Sequence, residues 1–111
     1  MDKPFTPITD TQALDALWNA SHDAPVMLFK HDPYCGISAR AHAELSALDG
    51  PVPTIDVEHD SAIAKAVTER TGVRHESPQA IVLRDGRAVW SASHFDITAA
   101  AVTDALTHAA L

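Results

Sequence analysis

The residues in this chain that could do chemistry are few: one cysteine and seven histidines supply the nucleophile and base candidates. The acidic residues are scattered without a paired constellation for hydrolysis, and no glycine-rich phosphate loop is present. Because Cys35 is the sole cysteine, neither an intramolecular disulfide nor a Cys-x-x-Cys redox pair can form. A lone cysteine is often an inert, buried small hydrophobe, so its setting has to decide. Cys35 follows an apolar run and a His31-Asp32-Pro33-Tyr34 break, and it directly precedes a helical pattern that starts at Gly36. Free N–H groups and the positive end of the helix dipole converge at such a position and favour an anion. The thiolate is an anion and is the nucleophilic form of the side chain. Pro33 and Tyr34 stop the strand and leave the sulfur accessible, Gly36 puts no side chain beside it, and Ser38 can turn its hydroxyl toward it. Apolar Ile37 already occupies the inward-facing stripe, so the position reads as a reactive thiol restricted to mixed-disulfide chemistry.

Positioning that thiol requires a scaffold, and the patterning supplies one. Phe5 to Ile8 makes a short edge strand in which Pro7 is tolerable. Thr9 and Gln12 have capping-box spacing, and Leu14, Leu17 and Trp18 continue a helix from about Asp10 to Ala20. Ser21 to Pro25 is a loop. Val26 to Lys30 is a continuous apolar run ending in a charge, which suits a strand buried on both faces. From Gly36 to Leu48, the residues Ile37, Ala41, Leu45 and Leu48 share one helical stripe that Asp49-Gly50-Pro51 ends. Val52 to Val57 is a second buried strand. Asp60 caps a helix with Ile63 and Val67 facing inward and Gly72 at its C′ position. Ala80 to Leu83, Asp85-Gly86 and Ala88 to Trp90 read as a hairpin. Thr98 caps a last helix with Val102 and Leu106 inward, and Ile97 and Val102 stand at hydrophobic-staple spacing. The order β-α-β-α-β-α-β-β-α predicts parallel pairing in the first units and an antiparallel edge from the hairpin, all in a single domain over residues 1–111.

Composition sets the outer bounds. A chain of 111 residues can bury one sustained core, and 46% hydrophobic with 21% charged residues is a globular balance. The formal charge of −7 disfavours nucleic acid, which needs concentrated Lys and Arg. No apolar run approaches the ~20 residues of a membrane span. The segment from Met1 to Pro4 lacks the basic flank and apolar stretch of an export signal, so the expected location is cytoplasmic.

The histidines raise a metal question. His31 lies four residues before Cys35 and His75 three before Pro78, yet no spacing forms a recognised ligand pair, and no metal site is expected. The simpler reading is that His31, His75 or His94 tunes the thiol or hydrogen-bonds a ligand, while His22, His42, His59 and His108 are solvated. Trp18 and Trp90 read as core aromatics. Ser77-Pro78, between the third helix and a strand, is a place where a cis peptide could turn the chain.

Cys35-Gly36-Ile37-Ser38, the distant Ser77-Pro78-Gln79 before the hairpin, and the element order together resemble the thioredoxin superfamily. Phe29-Lys30-His31 with Cys35-x-Ile37-Ser38, then Val73 to Gln79, and Trp90-x-Ala92-Ser93-His94 resemble the monothiol bacilliredoxins over nearly the whole chain. The resemblance implies a thioredoxin-like α/β fold, a three-layer α/β/α sandwich with a mixed central sheet. It also implies a monothiol oxidoreductase in which Cys35 removes bacillithiol from client-protein mixed disulfides. Bacillithiol is then the thiol co-substrate with no tightly bound cofactor, and a second thiol or a reductase regenerates the enzyme. Partners are bacillithiolated clients, with no nucleic acid and no membrane. Superfamily likeness makes Ser77, before Pro78, the backbone edge that docks a ligand; Lys30 is either a partner for a ligand carboxylate or a solvated strand end. One departure stands out. Gly36 occupies the place where the family has proline, giving Cys-Gly-Ile-Ser, one residue from the Cys-Gly-Phe-Ser of monothiol glutaredoxins. That likeness implies the alternative of an iron–sulfur cluster carrier, with a cluster shared by two chains. A thioredoxin-fold interaction module with an incidental cysteine is a third reading.

Overall fold

Residues 4–111 are described by the computed structural model. Met1, Asp2 and Lys3, part of the segment read for an export signal, lie outside the described residues. The strands β1 (Phe5–Pro7), β2 (Val26–His31), β3 (Val52–Asp56), β4 (Gln79–Arg84) and β5 (Arg87–Ser93) form one sheet in the order β1-β3-β2-β4-β5. β1 and β2 both pair parallel with β3, whereas β2–β4 and β4–β5 are antiparallel. Helix α1 (Thr11–Ala20) therefore crosses from β1 to β2 over the place that β3 fills; α2 (Gly36–Leu45) and α3 (Ser61–Thr71) make the next two crossings, and α4 (Ala99–Ala109) ends the chain. The predicted element order holds, with one addition: a 3-10 turn at His94–Asp96.

The continuous apolar run of β2 is explained by burial on both faces. Leu28 packs with Ile55, Ile81 and Leu83 against Leu14 and Leu17 of α1 and Ile63, Ala64 and Val67 of α3. Met27 and Phe29, pointing the other way, pack with Val82 against Ala41 and Leu45 of α2 and Val102 and Ala105 of α4. The result is the three-layer α/β/α sandwich. Trp18 and Trp90 are half-buried on opposite faces of it, and the Arg70 guanidinium lies 5.1 Å from the Trp18 ring centroid.

Local chemistry moves several boundaries. Asp10, rather than Thr9, caps α1: its carboxylate accepts the Ala13 N–H at 2.8 Å, so the helix starts one residue later than a Thr9 cap requires. Asp60 occupies the cap position of α3 without a side-chain cap bond, whereas Thr98 does cap α4 through the Ala101 N–H. Helix α2 ends at Leu45, short of the expected Leu48. Its buried stripe is Ser38, Ala41 and Leu45; Ile37 is only half-buried, so the inward position expected for it is held by Ser38. At the hairpin, Asp85 and Gly86 both have positive φ (54° and 77°), the turn that matches strand twist. Buried Ser21 pins that turn, its carbonyl accepting Asp85 N–H at 2.8 Å and its hydroxyl accepting Gly86 N–H at 2.9 Å.

Candidate functional site

Cys35 is the N-cap residue of α2, with φ −112° and ψ 127°, and its carbonyl accepts the first intrahelical bond from Ala39 N–H at 3.0 Å. The thiol is half-buried and free. The loop before it is a closed turn: Cys35 N–H donates to the Asp32 carbonyl at 3.1 Å, and Tyr34 N–H donates to the Asp32 carboxylate at 2.9 Å. Tyr34 itself is 76% exposed. Gly36, the first helical residue, is exposed, and a Cβ built on it would meet nothing within 4 Å.

Adjacent residues of a strand point to opposite faces, and the two that end β2 anchor the loop on both sides of the sheet. His31 lies on the α2 side. Its Nδ1 is 2.7 Å from the Ser38 hydroxyl, which also accepts the Asp32 N–H at 2.9 Å. Ser38 is fully buried, and both of its bonds go to this loop. The hydroxyl thus holds the turn that carries Cys35, in place of the expected approach to the sulfur. The His31 ring also packs against Phe29 and lies 4.9 Å from His42. Burial, then the nearby His42, lowers the pKa of His31. His42 was expected to be solvated; instead it is half-buried and stacked on Phe5, with centroids 3.8 Å apart. The interior stripe of α2 draws it in.

Lys30 lies on the α3 side and is not the solvated strand end of one of its two readings. Its side chain is fully buried. Nζ sits 2.9 Å from His75 Nδ1 and 2.9 Å from Gln79 Oε1. Burial lowers the Lys30 pKa to about 8, against a smaller upward pull from Glu76. An ammonium can only donate, so His75 Nδ1 accepts and the ring proton resides on Nε2. His75 is itself held toward the neutral form by burial and by the Lys30 charge.

These contacts fix the segment from Arg74 to Gln79. Gln79 Nε2 donates to the Arg74 carbonyl at 2.9 Å, and the Ser93 hydroxyl donates to the Glu76 carboxylate at 2.5 Å. The Ser93 bond is the main reason the Glu76 pKa is lowered. Within this segment the Ser77–Pro78 peptide is cis. Pro78 is buried, and its carbonyl accepts His94 N–H at 3.1 Å; His94 takes φ 56° to start the 3-10 turn. Because Lys30 pairs with Gln79, and Gln79 with Ser93, the Cys35 loop, Ser77-Pro78 and His94 all meet at one end of the sheet. Ser77 makes no hydrogen bond among the described residues. Exposed Phe95 stands on the same turn, with the Arg40 guanidinium of α2 5.6 Å from its ring centroid.

His31 and His75 therefore lie on opposite faces of the sheet, and no group of three or more His, Cys, Asp or Glu among the described residues could hold a metal ion. Of the residues missed by sequence reasoning, Gln79 and Glu76 sat inside the quoted motif but carried no local sign of a partner. Ser93 and His42 gave none either.

The comparisons with known proteins agree with this geometry. The family model of the monothiol bacilliredoxin BrxC matches residues 6–102. The chain belongs to the monothiol bacilliredoxin family. Among solved structures, a thioredoxin-fold protein described as a candidate oxidoreductase superposes with a TM-score of 0.80 at 25% identity, over 91% of this chain and 92% of that one. A single-site mutant of the Halobacterium salinarum thioredoxin gives 0.72 at 20% identity, over 100% and 96%. The Malassezia sympodialis thioredoxin gives 0.73 at 15%, over 99% and 94%. This bacilliredoxin thus has the thioredoxin fold and a thiol redox role. No helix among the described residues is long and apolar enough to cross a membrane.

Proposed function

We propose that this bacilliredoxin is a monothiol oxidoreductase that removes bacillithiol from protein mixed disulfides, with Cys35 as its nucleophile. The observation that carries this reading is a free cysteine at the N-cap of α2, at the same end of the sheet as Ser77-Pro78 and with no second thiol in the chain. The Cys35 thiolate attacks the bacillithiol sulfur of the client disulfide. A Cys35–bacillithiol disulfide forms, the client sulfur leaves as a thiolate and takes a proton from water. A second low-molecular-weight thiol then attacks the bacillithiol sulfur, forming the small disulfide and returning the Cys35 thiolate. The unpaired backbone of Ser77 offers an edge for an extended client, as in β-strand addition. Its clients are bacillithiolated proteins, and its compartment is the cytoplasm.

Incubation with bacillithiol disulfide should add one bacillithiol at Cys35, read by intact mass, and Cys35→Ser should add none. Reaction with glutathione disulfide alone would displace bacillithiol from the assignment. No adduct with either disulfide would sink the enzyme reading.

A further inference from the structure

A cleft of about 360 Å³ opens between α3 and the segment before Pro78, lined by Val57, Ser61, Ala64, Lys65, Thr68 and His75. Its floor is apolar, and its polar groups are the Lys65 ammonium, the His75 ring and the Ser61 and Thr68 hydroxyls. Lys65 forms no ion pair among the described residues. His75, with Nδ1 occupied by Lys30, presents an unpartnered Nε2–H. The buried Lys30 charge stands behind it. No carboxylate lines this cleft; Asp56 and Asp60 line a separate one. A cationic recess without a carboxylate in its lining is notable on a chain of net charge −7, which otherwise repels anions. The cleft also adjoins the end of β2, from which the cysteine loop leaves, since the N–H of Val57 in its lining donates to the His31 carbonyl at 2.9 Å.

We infer that this cleft is the subsite for a carboxylate of the low-molecular-weight thiol that Cys35 carries. The inference rests on the exchange reading above. The carboxylate pairs with the Lys65 ammonium and accepts the His75 Nε2–H, while the chain leading to the sulfur runs over Val57 toward Cys35. The subsite selects between disulfides by charge and takes no part in the bond exchange.

The test is the ratio of Cys35 adduct-formation rates for an anionic disulfide, bacillithiol disulfide, and a neutral one, 2-hydroxyethyl disulfide. Lys65→Gln should lower that ratio by about three- to fivefold, the worth of one largely exposed charge pair, and Lys65→Glu should lower it further. Arg87→Gln, an equal charge change on exposed β5, should leave the ratio where it was. Equal ratios in the wild type and both Lys65 variants would overturn the subsite while leaving the exchange reading standing. An equal fall in Arg87→Gln would reduce it to a net-charge effect and overturn it as well. Failure of the wild type to react with either disulfide would remove the exchange reading itself.

Discussion

Burying Lys30 between His75 and Gln79 has a thermodynamic signature that depends on pH. The ammonium is fully buried, and its pKa falls from 10.5 to about 8 chiefly through loss of solvent. Below about pH 8 the native and unfolded chains both hold the proton. Between about 8 and 10.5 the unfolded chain still holds it while the native chain has released it, so native stability rises with pH across that window. At ~1.4 kcal/mol per tenfold change in proton affinity, the full rise is about 3 kcal/mol. Lys30→Met removes the titration and, with it, two hydrogen bonds. Gln79 is 2% exposed, so losing the donor to its Oε1 costs about 1–3 kcal/mol, while exposed His75 can turn to water. The two effects oppose each other at neutral pH. The variant should match or slightly exceed the wild type in stability at pH 7 and fall below it by about 1–3 kcal/mol at pH 10.5. Urea unfolding of both proteins at intervals across this range gives the difference directly, cancelling every group they share. A wild-type-minus-variant difference that stays flat from pH 7 to 10.5 would refute the reasoning.

Two further substitutions probe the cysteine loop. Ser38→Ala strips the acceptor from the part-buried Asp32 N–H and the partner from His31, and should cost about 1–3 kcal/mol in denaturant unfolding; a loss below about 0.5 kcal/mol would mean that the hydroxyl does not hold the loop. Gly36→Pro should be accepted by the backbone. Cys35 already has the extended conformation required before proline, Gly36 is the first helical residue, and its Cβ direction is open. It should stabilise the native state by about 0.4–1 kcal/mol through the unfolded chain, with exchange slowed more toward a bulky protein disulfide than toward a small one; a loss of stability would refute this account of Gly36.

What could be read from the sequence was what depends on local pattern. The β2 run, the Asp85-Gly86 turn, the Gly72 stop and the placement of Cys35 at a strand-to-helix junction each follow from residues adjacent in the chain. The reading failed where a side chain's partner is remote. Lys30 and Gln79 are 49 residues apart and Lys30 and His75 are 45 apart, and only the antiparallel β2–β4 register joins them. A lysine at a strand end looks solvated until the strand that buries it is placed. Ser38 failed for a related reason: its hydroxyl is read as turning toward the sulfur and the inner stripe as held by Ile37, yet the loop's polar groups require a buried acceptor on that stripe.

That exchange of an apolar for a polar residue bears on how a monothiol enzyme works. In the described residues no buried side-chain nitrogen or oxygen is left without a partner, and the groups around Cys35 are satisfied by bonds that do not include the sulfur. His31 and Ser38 secure the loop from one face of the sheet, and Lys30 with His75 and Gln79 secures the opposing segment from the other. The cysteine is therefore positioned by its neighbours, without a disulfide to lock it or an internal thiol to discharge it. Under this reading the first exchange depends on the protein's own geometry, whereas the second depends on the concentration and charge of an external thiol, the property that the cleft beside His75 is suited to sense.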